Sequence, residues 1–446
     1  MEIKIAEPMD ERTARYVEAF QRMIQTETIS SGEDDPEKFV RFQALLKELF
    51  PHVFAVCEIE NFDGSLLLKW KGQGAEGDPV LFMNHQDVVE ATGEWEHEPF
   101  SGEIADGRIW GRGTLDDKGG LWGMLQAAEE LMTEGFTPKR DIYFESSRNE
   151  EINGAGSNRI SKELKQRGMR FDYVLDEGGM IVEEPIGGAK GYFAMIGVGE
   201  KCTTNLKFIA KSSGGHASTP GKNTPLVRLA KFMAAAENSS IFKVELSPVI
   251  AEMLRRVGPH MTSPLKEVMS HPELFKPAIE KAMPAISPTA GALLKTTLAF
   301  TMAKGSDGRN VLPQEAWVVG NMRCSHHQGL KESVHAIKKL AAKYDLTMEV
   351  LDKGFPSPLS DFNGAAFKRV EEAVEAVFPG VPTVPYIMTG ASDSRFMSRV
   401  CDQCIRFSPF SIQAKQLGSV HGLNENVEVK CLVPAVDFYR YLMERV

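Results

Sequence analysis

Several short apolar segments of this 446-residue chain run directly into histidine or acidic residues. The segments PVLFMNHQD, RDIYFESSRNEE and FDYVLDEGG each join a run of Val, Ile, Leu or Phe to such a polar end. Runs of this length and composition predict buried β-strands. Between the first two, LWGMLQAAEELMTEG predicts a helix that ends at Gly135. Strand, helix and strand in succession favour an α/β sheet with crossover connections.

The pattern changes near Gly197. Strand-like TTNLKFIAKSS is followed by a predicted helix over 225–237, a proline-punctuated helical stretch over 246–290, and the strand-like TTLAFTMAKGS and AWVVGNMRCS. The chain is also longer than a single hydrophobic core usually fills. We therefore predict a smaller module over residues 197–325, inserted between two parts of a larger α/β domain, residues 1–196 and 326–446.

The charge of the chain limits its partners. A net charge of −10 and a pI near 5.6 argue against binding to nucleic acid or to anionic lipid, since both need a basic surface. The sequence contains no long apolar run and no basic segment followed by an apolar one at its start. We expect a cytoplasmic protein with reduced cysteines. The lone CxxC of Cys401 and Cys404 has no second cysteine pair beside it.

His85 and Asp87 follow the first of these strands and, at alternate positions, can share one face. Open α/β sheets bind ligands at the carboxyl ends of their strands. Asp87 is expected to accept the second N–H of the His85 imidazole, which would fix its tautomer. In GRIWGRGTLDDKGG, Asp116 and Asp117 would repel each other unless a cation lies nearby. Asp116 can bridge two metal ions through its two oxygens.

Further acids follow the other two strands. Glu150 and Glu151 make sense together if one binds a metal ion and the other holds a proton near it. Asp176 and Glu177 end the third strand, and His421 lies far along the chain in GSVHGLNENV. Imidazole and carboxylate donors of this kind are what a two-metal zinc site requires.

These motifs resemble those of the M20 family of metallopeptidases, which includes aminoacylases, carboxypeptidases and dipeptidases. The motifs occur in the family's order along nearly the whole chain. The resemblance implies an α/β catalytic domain with a central mixed sheet flanked by helices, plus an inserted α+β dimerisation or lid domain. It also implies two zinc ions per subunit, although manganese and cobalt accept the same donors.

The resemblance implies a role for each motif residue. Glu150 is expected to be the general base and acid. The expected metal ligands are histidines and acids, with Asp116 shared between the two ions: His85, Asp116 and Glu177 (or Asp176 in its place) for one ion, and Asp116, Glu151 and His421 for the other.

Residues of the inserted module and the last third of the chain complete the expected site. His216, in SSGGHASTPG, resembles the family's histidine that reaches into the partner subunit and stabilises the oxyanion, which implies a homodimer. Asn310 and Arg323, in NVLPQEAWVVGNMRCS, are expected to contact the substrate and its carboxylate. Gly390 and Arg395, in TGASDSRFM, are further candidates for that carboxylate. Either arginine can instead form a structural ion pair.

The resemblance implies a zinc hydrolase that cleaves the amide bond of a dipeptide or of the last residue of a peptide. An N-acyl amino acid amidohydrolase is the alternative, and the helical stretch over 246–290 and the DEGG motif are typical of that branch and of Gly-X carboxypeptidases. A non-catalytic metal-binding regulator is a remote alternative. Such a regulator would be expected to lose the base or a ligand, and none is lost here.

Overall fold

A computed structural model describes residues 9–31, 35–286 and 288–446 of the chain. The strands in these residues are β1 (Glu58–Phe62), β2 (Ser65–Trp70), β3 (Val80–Met83), β4 (Ile104–Ala105), β5 (Arg108–Trp110), β6 (Ile142–Ser146), β7 (Val174–Asp176), β8 (Ile181–Glu183), β9 (Tyr192–Glu200), β10 (Cys202–Lys211), β11 (Gly215–His216), β12 (Thr297–Lys304), β13 (Val311–Leu312), β14 (Glu315–Cys324), β15 (Thr347–Val350), β16 (Thr383–Met388), β17 (Cys404–Arg406), β18 (Ser411–Ile412) and β19 (Asn426–Glu428).

The α-helices are α1 (Glu11–Gln25), α2 (Pro36–Leu49), α3 (Pro51–Val56), α4 (Lys118–Thr133), α5 (Ala155–Gln166), α6 (Pro225–Glu237), α7 (Pro248–Val257), α8 (Leu265–Ser270), α9 (Lys276–Ile286), α10 (Pro288–Leu294), α11 (Gly329–Ala342), α12 (Ala365–Val377), α13 (Ser394–Met397), α14 (Ala414–Leu417) and α15 (Leu432–Met443). Short 3₁₀ turns cover Gly258–His260 and Val429–Cys431. The predicted α/β fold with a large mixed sheet is confirmed.

The large sheet contains ten strands in the order β1-β2-β6-β3-β7-β17-β9-β8-β18, with β16 beside β9. Strand β3 lies between β6 and β7 and is parallel to both. All four of its residues are buried, as expected for a central parallel strand covered on both faces. Because the three strands run in one direction, the loops that follow them meet at the same edge of the sheet.

Helices α1, α4 and α15 pack together on one face of this sheet. Asp10 caps the start of helix α1 by accepting the Thr13 N–H, and the apolar residues of the helix, at helical spacing, point into the core. Trp122 of α4 is fully buried, and its ring centroid lies 5.1 Å from that of Tyr16 and 5.5 Å from that of Phe20. This packing fixes the start of α4, and therefore the loop that carries Asp116.

A second, four-stranded sheet has the order β12-β14-β10-β15 and its own core beneath α6 and α11. Its strands do not coincide with the predicted module over 197–325. Residue 197 lies inside β9, which belongs entirely to the large sheet, and the small sheet includes β15, which pairs with β10. The division into domains at residues 196 and 325 stays a prediction.

The helical stretch after α6 packs away from the small sheet. Helix α7 contacts β16, and its buried residues join the core of the large sheet. The chain therefore leaves the small sheet after α6 and returns to it at β12.

None of the helices in the described ranges has the length and apolar character needed to cross a bilayer. The cytoplasmic location stays a prediction. All six cysteines are buried and carry free thiols.

Candidate active site

Four residues predicted as metal ligands converge at the carboxyl edge of the large sheet. The His85 Nε2 atom lies 3.0 Å from Asp116 Oδ1, and the His421 Nε2 atom lies 3.0 Å from Asp116 Oδ2. His421 Nε2 is also 3.1 Å from Glu151 Oε2. Asp116 thus presents one oxygen to each imidazole. One donor atom each from His85, Asp116 and Glu151 lies within 4.8 Å of the others, the spacing of a metal site.

Burial and charged neighbours shift the pKa values of the residues in this cluster. Burial alone would raise the pKa of Asp116, but hydrogen bonds with His421 and His85 outweigh it and hold that pKa below its ordinary value. Hydrogen bonds to Asp116 and Glu151 raise the pKa of His421 to about 10. Burial, and then repulsion from Asp116, raises the pKa of Glu151. A cation at this position would relieve the repulsion between the carboxylates.

Asp87 lies next to His85, and its carboxylate has further partners besides the predicted imidazole. The His85 Nδ1 atom is 2.9 Å from the Asp87 backbone oxygen and 3.4 Å from the nearer carboxylate oxygen. The carboxylate also accepts the backbone N–H groups of Glu150 and Glu151, each at 3.1 Å, and the Ser30 hydroxyl at 2.6 Å. Asp87 therefore also fixes the loop that carries both glutamates.

Glu150 lies beside Arg395, one of the two arginines predicted to bind the substrate carboxylate. Arg395 Nη1 is 3.5 Å from Glu150 Oε1, and Nη2 is 3.7 Å from Asp393 Oδ1. Burial, and then the nearby Asp393, raises the pKa of Glu150 well above its ordinary value. A carboxyl group of raised pKa can accept a proton and return it near neutral pH.

The acids at the end of β7 have different surroundings. Asp176 Oδ2 accepts the Ser394 backbone N–H at 2.7 Å, and burial, then Asp393, raises its pKa to about 6. Burial, then repulsion from Asp116, raises the pKa of Glu177 well above its ordinary value. The negative charge of Asp116 therefore acts on Glu177, while backbone N–H groups of Ser394 and Glu177 bind the Asp176 carboxylate. The choice between them stays open.

The residues that follow Asp116 fix its loop, and the Asp116–Asp117 peptide bond is cis. Asp117 Oδ2 accepts the His85 backbone N–H at 3.0 Å. Lys118 is fully buried, and its ammonium group donates to the carbonyl oxygens of Met23 and Thr26 at the end of α1. These contacts connect the loop to β3 and to α1.

Other predicted site residues lie outside the cluster. His216 is exposed, with Nδ1 2.7 Å from the Ser218 hydroxyl, and Asn310 accepts the neighbouring Ala217 N–H through its backbone oxygen. Arg323 donates to the Thr203 hydroxyl at 2.7 Å. Gly390 is exposed in the loop after β16. Among the described residues, neither His216 nor Asn310 forms a hydrogen bond or an ion pair with the cluster.

Burial lowers the pKa of Arg323, against the opposing effect of Glu200, and the positive charge of Arg395 lowers it further. Arg395 therefore lies close enough to Arg323, the other arginine predicted to bind a carboxylate, to affect its pKa.

Two buried carboxylates of the site were not predicted. Asp393 accepts the hydroxyls of Ser147 and Ser157, each at 2.7 Å, and lies beside Arg395. Glu425 accepts the Asp116 backbone N–H at 3.1 Å. Asp393 lies within a few residues of Arg395, and Glu425 within a few residues of His421. In the sequence, that proximity was the only signal that the two acids belong to the site.

Comparison with known proteins agrees with this geometry. Residues 81–445 match the model of peptidase family M20/M25/M40. The chain is 32% identical over 428 residues to human N-fatty-acyl-amino acid synthase/hydrolase PM20D1, covering 94% of this chain and 85% of the relative. It is 31% identical over 456 residues to a probable carboxypeptidase S-like 2 of Dictyostelium discoideum, covering 97% of this chain and 86% of that relative.

Solved structures of lower identity share the fold. An M20 family metallo-carboxypeptidase of Sulfolobus solfataricus superposes with a TM-score of 0.68 at 19% identity, covering 98% of this chain and 99% of that one. Human carnosine dipeptidase 1 superposes with a TM-score of 0.67 at 13% identity, covering 98% and 96%. The match over most of the chain shows that this protein belongs to peptidase family M20/M25/M40 and is a hydrolase of that family.

Proposed function

We propose that this protein is a two-metal hydrolase that cleaves an amide bond next to a free carboxylate. The observation that supports the proposal most directly is the position of Asp116 between the imidazoles of His85 and His421, with Glu151 beside it. A carboxylate that offers one oxygen to each side is the arrangement needed to bridge two ions.

The donor set fits zinc. Imidazole nitrogen and carboxylate oxygen are both zinc ligands, and Glu151 Oε1 is buried without a hydrogen-bond partner in the described part of the chain. An orphaned carboxylate oxygen beside two imidazoles is accounted for by a bound cation. We assign His85, Asp116 and Glu177 (or Asp176) to one ion, and Asp116, Glu151 and His421 to the other. Manganese or cobalt would fit the same donors.

The third ligand of the first ion can be decided by substitution. Asp176→Asn and Glu177→Gln remove one candidate carboxylate each and nearly keep the side-chain volume. We expect the variant that loses a ligand to bind about one zinc ion per chain instead of two, measured by elemental analysis after dialysis. Two ions in both variants would remove both residues from the ligand set.

When bound, zinc polarises a carbonyl group and lowers the pKa of a water molecule. In our proposal Glu150 accepts the proton of the attacking water and then donates it to the leaving amine. The backbone bonds from Glu150 and Glu151 to Asp87 keep the base and the neighbouring ligand in a fixed relation. Glu150→Gln should lower kcat by about 10²–10⁴ while the zinc content stays at the wild-type level.

We assign the substrate carboxylate to Arg395 and Arg323, and we keep Gly390 and Asn310 as further candidates for contact with the substrate. A guanidinium group matches a carboxylate in a bidentate pair. Loss of one such charged contact costs about 1.5–3 kcal/mol, so Arg323→Met and Arg395→Met should each raise KM by about tenfold to a hundredfold. Arg170→Met removes an exposed ion pair with Asp402 and serves as the control.

His216 is assigned to the oxyanion in the site of a second subunit, because it is exposed and lies away from the cluster of its own chain. This assignment requires a homodimer. His216→Ala and Glu150→Gln should each be inactive, and a mixed dimer of the two should regain activity because one of its sites contains both wild-type residues. Failure to regain activity in verified mixed dimers would contradict the shared site.

The acyl side of the substrate separates two candidates. The D. discoideum relative favours a carboxypeptidase or dipeptidase, and the human relative favours an N-acyl amino acid hydrolase. We put the peptidase first, on the carboxypeptidase S-like relative that is 31% identical over 97% of this chain. Zinc-loaded protein should be assayed on dipeptides, short peptides, and N-acetyl and long-chain N-acyl amino acids. Turnover of N-acyl amino acids without turnover of peptides would reverse the order.

A further inference from the structure

We infer that Glu425 is a positioning residue that holds together the loop that carries Asp116 and the loop that carries His421. Its side chain is fully buried. One carboxylate oxygen accepts the backbone N–H groups of Leu115 at 2.8 Å and Asp116 at 3.1 Å, and the other accepts the Gly113 N–H at 3.1 Å. The inference rests on the ligand roles proposed above for Asp116 and His421.

Arg112 completes the contact between the loops. Its Nη1 donates to Glu425 Oε2 at 2.6 Å, and its Nη2 donates to the Gly422 carbonyl oxygen at 2.6 Å. Gly422 directly follows His421 in the chain. The guanidinium group is buried, with its central carbon 5.1 Å from the centre of the Trp95 ring. Arg112 therefore binds both the Glu425 carboxylate, which holds the Asp116 loop, and the backbone of the His421 loop.

The position of His421 explains why such a contact is needed. His421 is not at the end of a strand of the large sheet, its side chain is 53% exposed, and its φ angle is 58°. The nearest regular pairing is between β5 and β19, where Trp110 lies opposite Asn426. The Asp116 loop follows β5 and the His421 loop precedes β19, so Glu425 lies between them just beyond the last paired residues.

A carboxylate suits this place better than an amide would. Four donors converge on its two oxygens, three of them backbone N–H groups and one a guanidinium group. A glutamine would turn its own NH₂ group toward donors on one side, whichever way it is rotated. The loop would have to move to relieve that contact, and Asp116 and His421 would move with it.

The experiment compares Glu425→Gln with a matched control, Glu129→Gln. Glu129 is also a buried carboxylate that accepts backbone N–H groups, those of His52 and Val53 at the start of α3, but it lies near the far end of α4. The affinity of each metal-free protein for Zn²⁺ is measured by competition with a chelating dye. The absorption spectrum of the Co²⁺-loaded protein reports the ligand geometry.

We expect Glu425→Gln to weaken Zn²⁺ binding by about 10–100-fold and to alter the Co²⁺ spectrum. Glu129→Gln should leave both unchanged, even where it lowers thermal stability as much. Wild-type affinity and spectrum in Glu425→Gln, or an equal loss of affinity in Glu129→Gln, would overturn the inference.

Arg112→Lys provides a second variant in case Glu425→Gln does not fold. Lysine keeps the positive charge but lacks the fork that reaches both Glu425 and Gly422. We expect this variant to fold and to bind Zn²⁺ about tenfold more weakly. Wild-type affinity in Arg112→Lys would count against the inference. If the wild-type protein itself bound no Zn²⁺, the proposed function would fail first.

Discussion

The buried pair between Arg406 of β17 and Glu200 of β9 offers a quantitative test of the fold. Both side chains are at most 2% exposed. Arg406 Nε donates to Glu200 Oε2 at 3.2 Å, and Nη1 donates to the Cys404 carbonyl at 2.7 Å. Nη2 lies at 3.2 Å from the same glutamate oxygen without hydrogen-bond geometry. The same oxygen accepts the Ser392 N–H, so the pair also supports the loop that carries Arg395.

Arg406→Met should destabilise the protein by about 3–5 kcal/mol, because it leaves the Glu200 carboxylate buried and without its counter-charge. The Ser392 backbone and hydroxyl donors remain, so the loss should fall toward the lower end of this range. Adding Glu200→Gln removes the unpaired charge and should recover about 2 kcal/mol. A gain of this sign distinguishes an unpaired charge from a simple loss of packing.

The assay is urea unfolding followed by far-UV circular dichroism, with the metal content held constant. Arg170→Met, which removes an ion pair of exposed side chains with Asp402, should change the stability by less than about 1 kcal/mol. The reasoning is refuted if Arg406→Met costs no more than Arg170→Met. It is also refuted if the double variant is no more stable than Arg406→Met.

Three further predictions concern the core, pH and the metal. Trp122→Ala should cost about 3–5 kcal/mol in urea unfolding, because the cavity would lie between Tyr16 and Phe20. Burial lowers the pKa of His326 from 6.5 to about 4, so the unfolded chain binds a proton in this window that the folded chain does not. The free energy of unfolding should therefore fall by up to about 3 kcal/mol as the pH falls from 6.5 to 4. His326→Gln should reduce this dependence on pH, which is measured by urea titrations at several pH values. Chelation of the metal should lower thermal stability, and free Zn²⁺ at a hundred times its Kd should restore about 2.7 kcal/mol.

The part of the site built on parallel strands could be predicted from the sequence. The apolar runs of β3, β6 and β7 were recognisable, and parallel strands place their carboxyl ends on one edge. The convergence of His85 and Glu151 follows from that rule alone. The alternation of residues along the strand also placed Asp87 on the same side as His85. It did not show which donors the Asp87 carboxylate would accept.

Features set by tertiary packing could not be read from the sequence. The helix α11 and the strand β15 continue the alternation of the large domain, and only the pairing of β15 with β10 and the core shared with α6 show that they belong with the small sheet. Likewise, the helical stretch after residue 246 is amphipathic, but its apolar face does not reveal which sheet it covers. Local pattern specifies the element and its buried face, while the partner depends on the whole fold.

The metal cluster combines these two kinds of information. Acids that repel one another do not hold their own positions, so each must be fixed by groups outside the cluster. Asp87 accepts the backbone N–H groups of Glu150 and Glu151, and Glu425 accepts that of Asp116. In both cases a buried carboxylate binds the backbone of the residue whose side chain faces the cluster. Asp87 follows His85 at the sheet edge, and that edge brings it to the loop of Glu150 and Glu151. The contact between Glu425 and Asp116 joins residues 309 positions apart, because the His421 loop does not follow a strand of the large sheet.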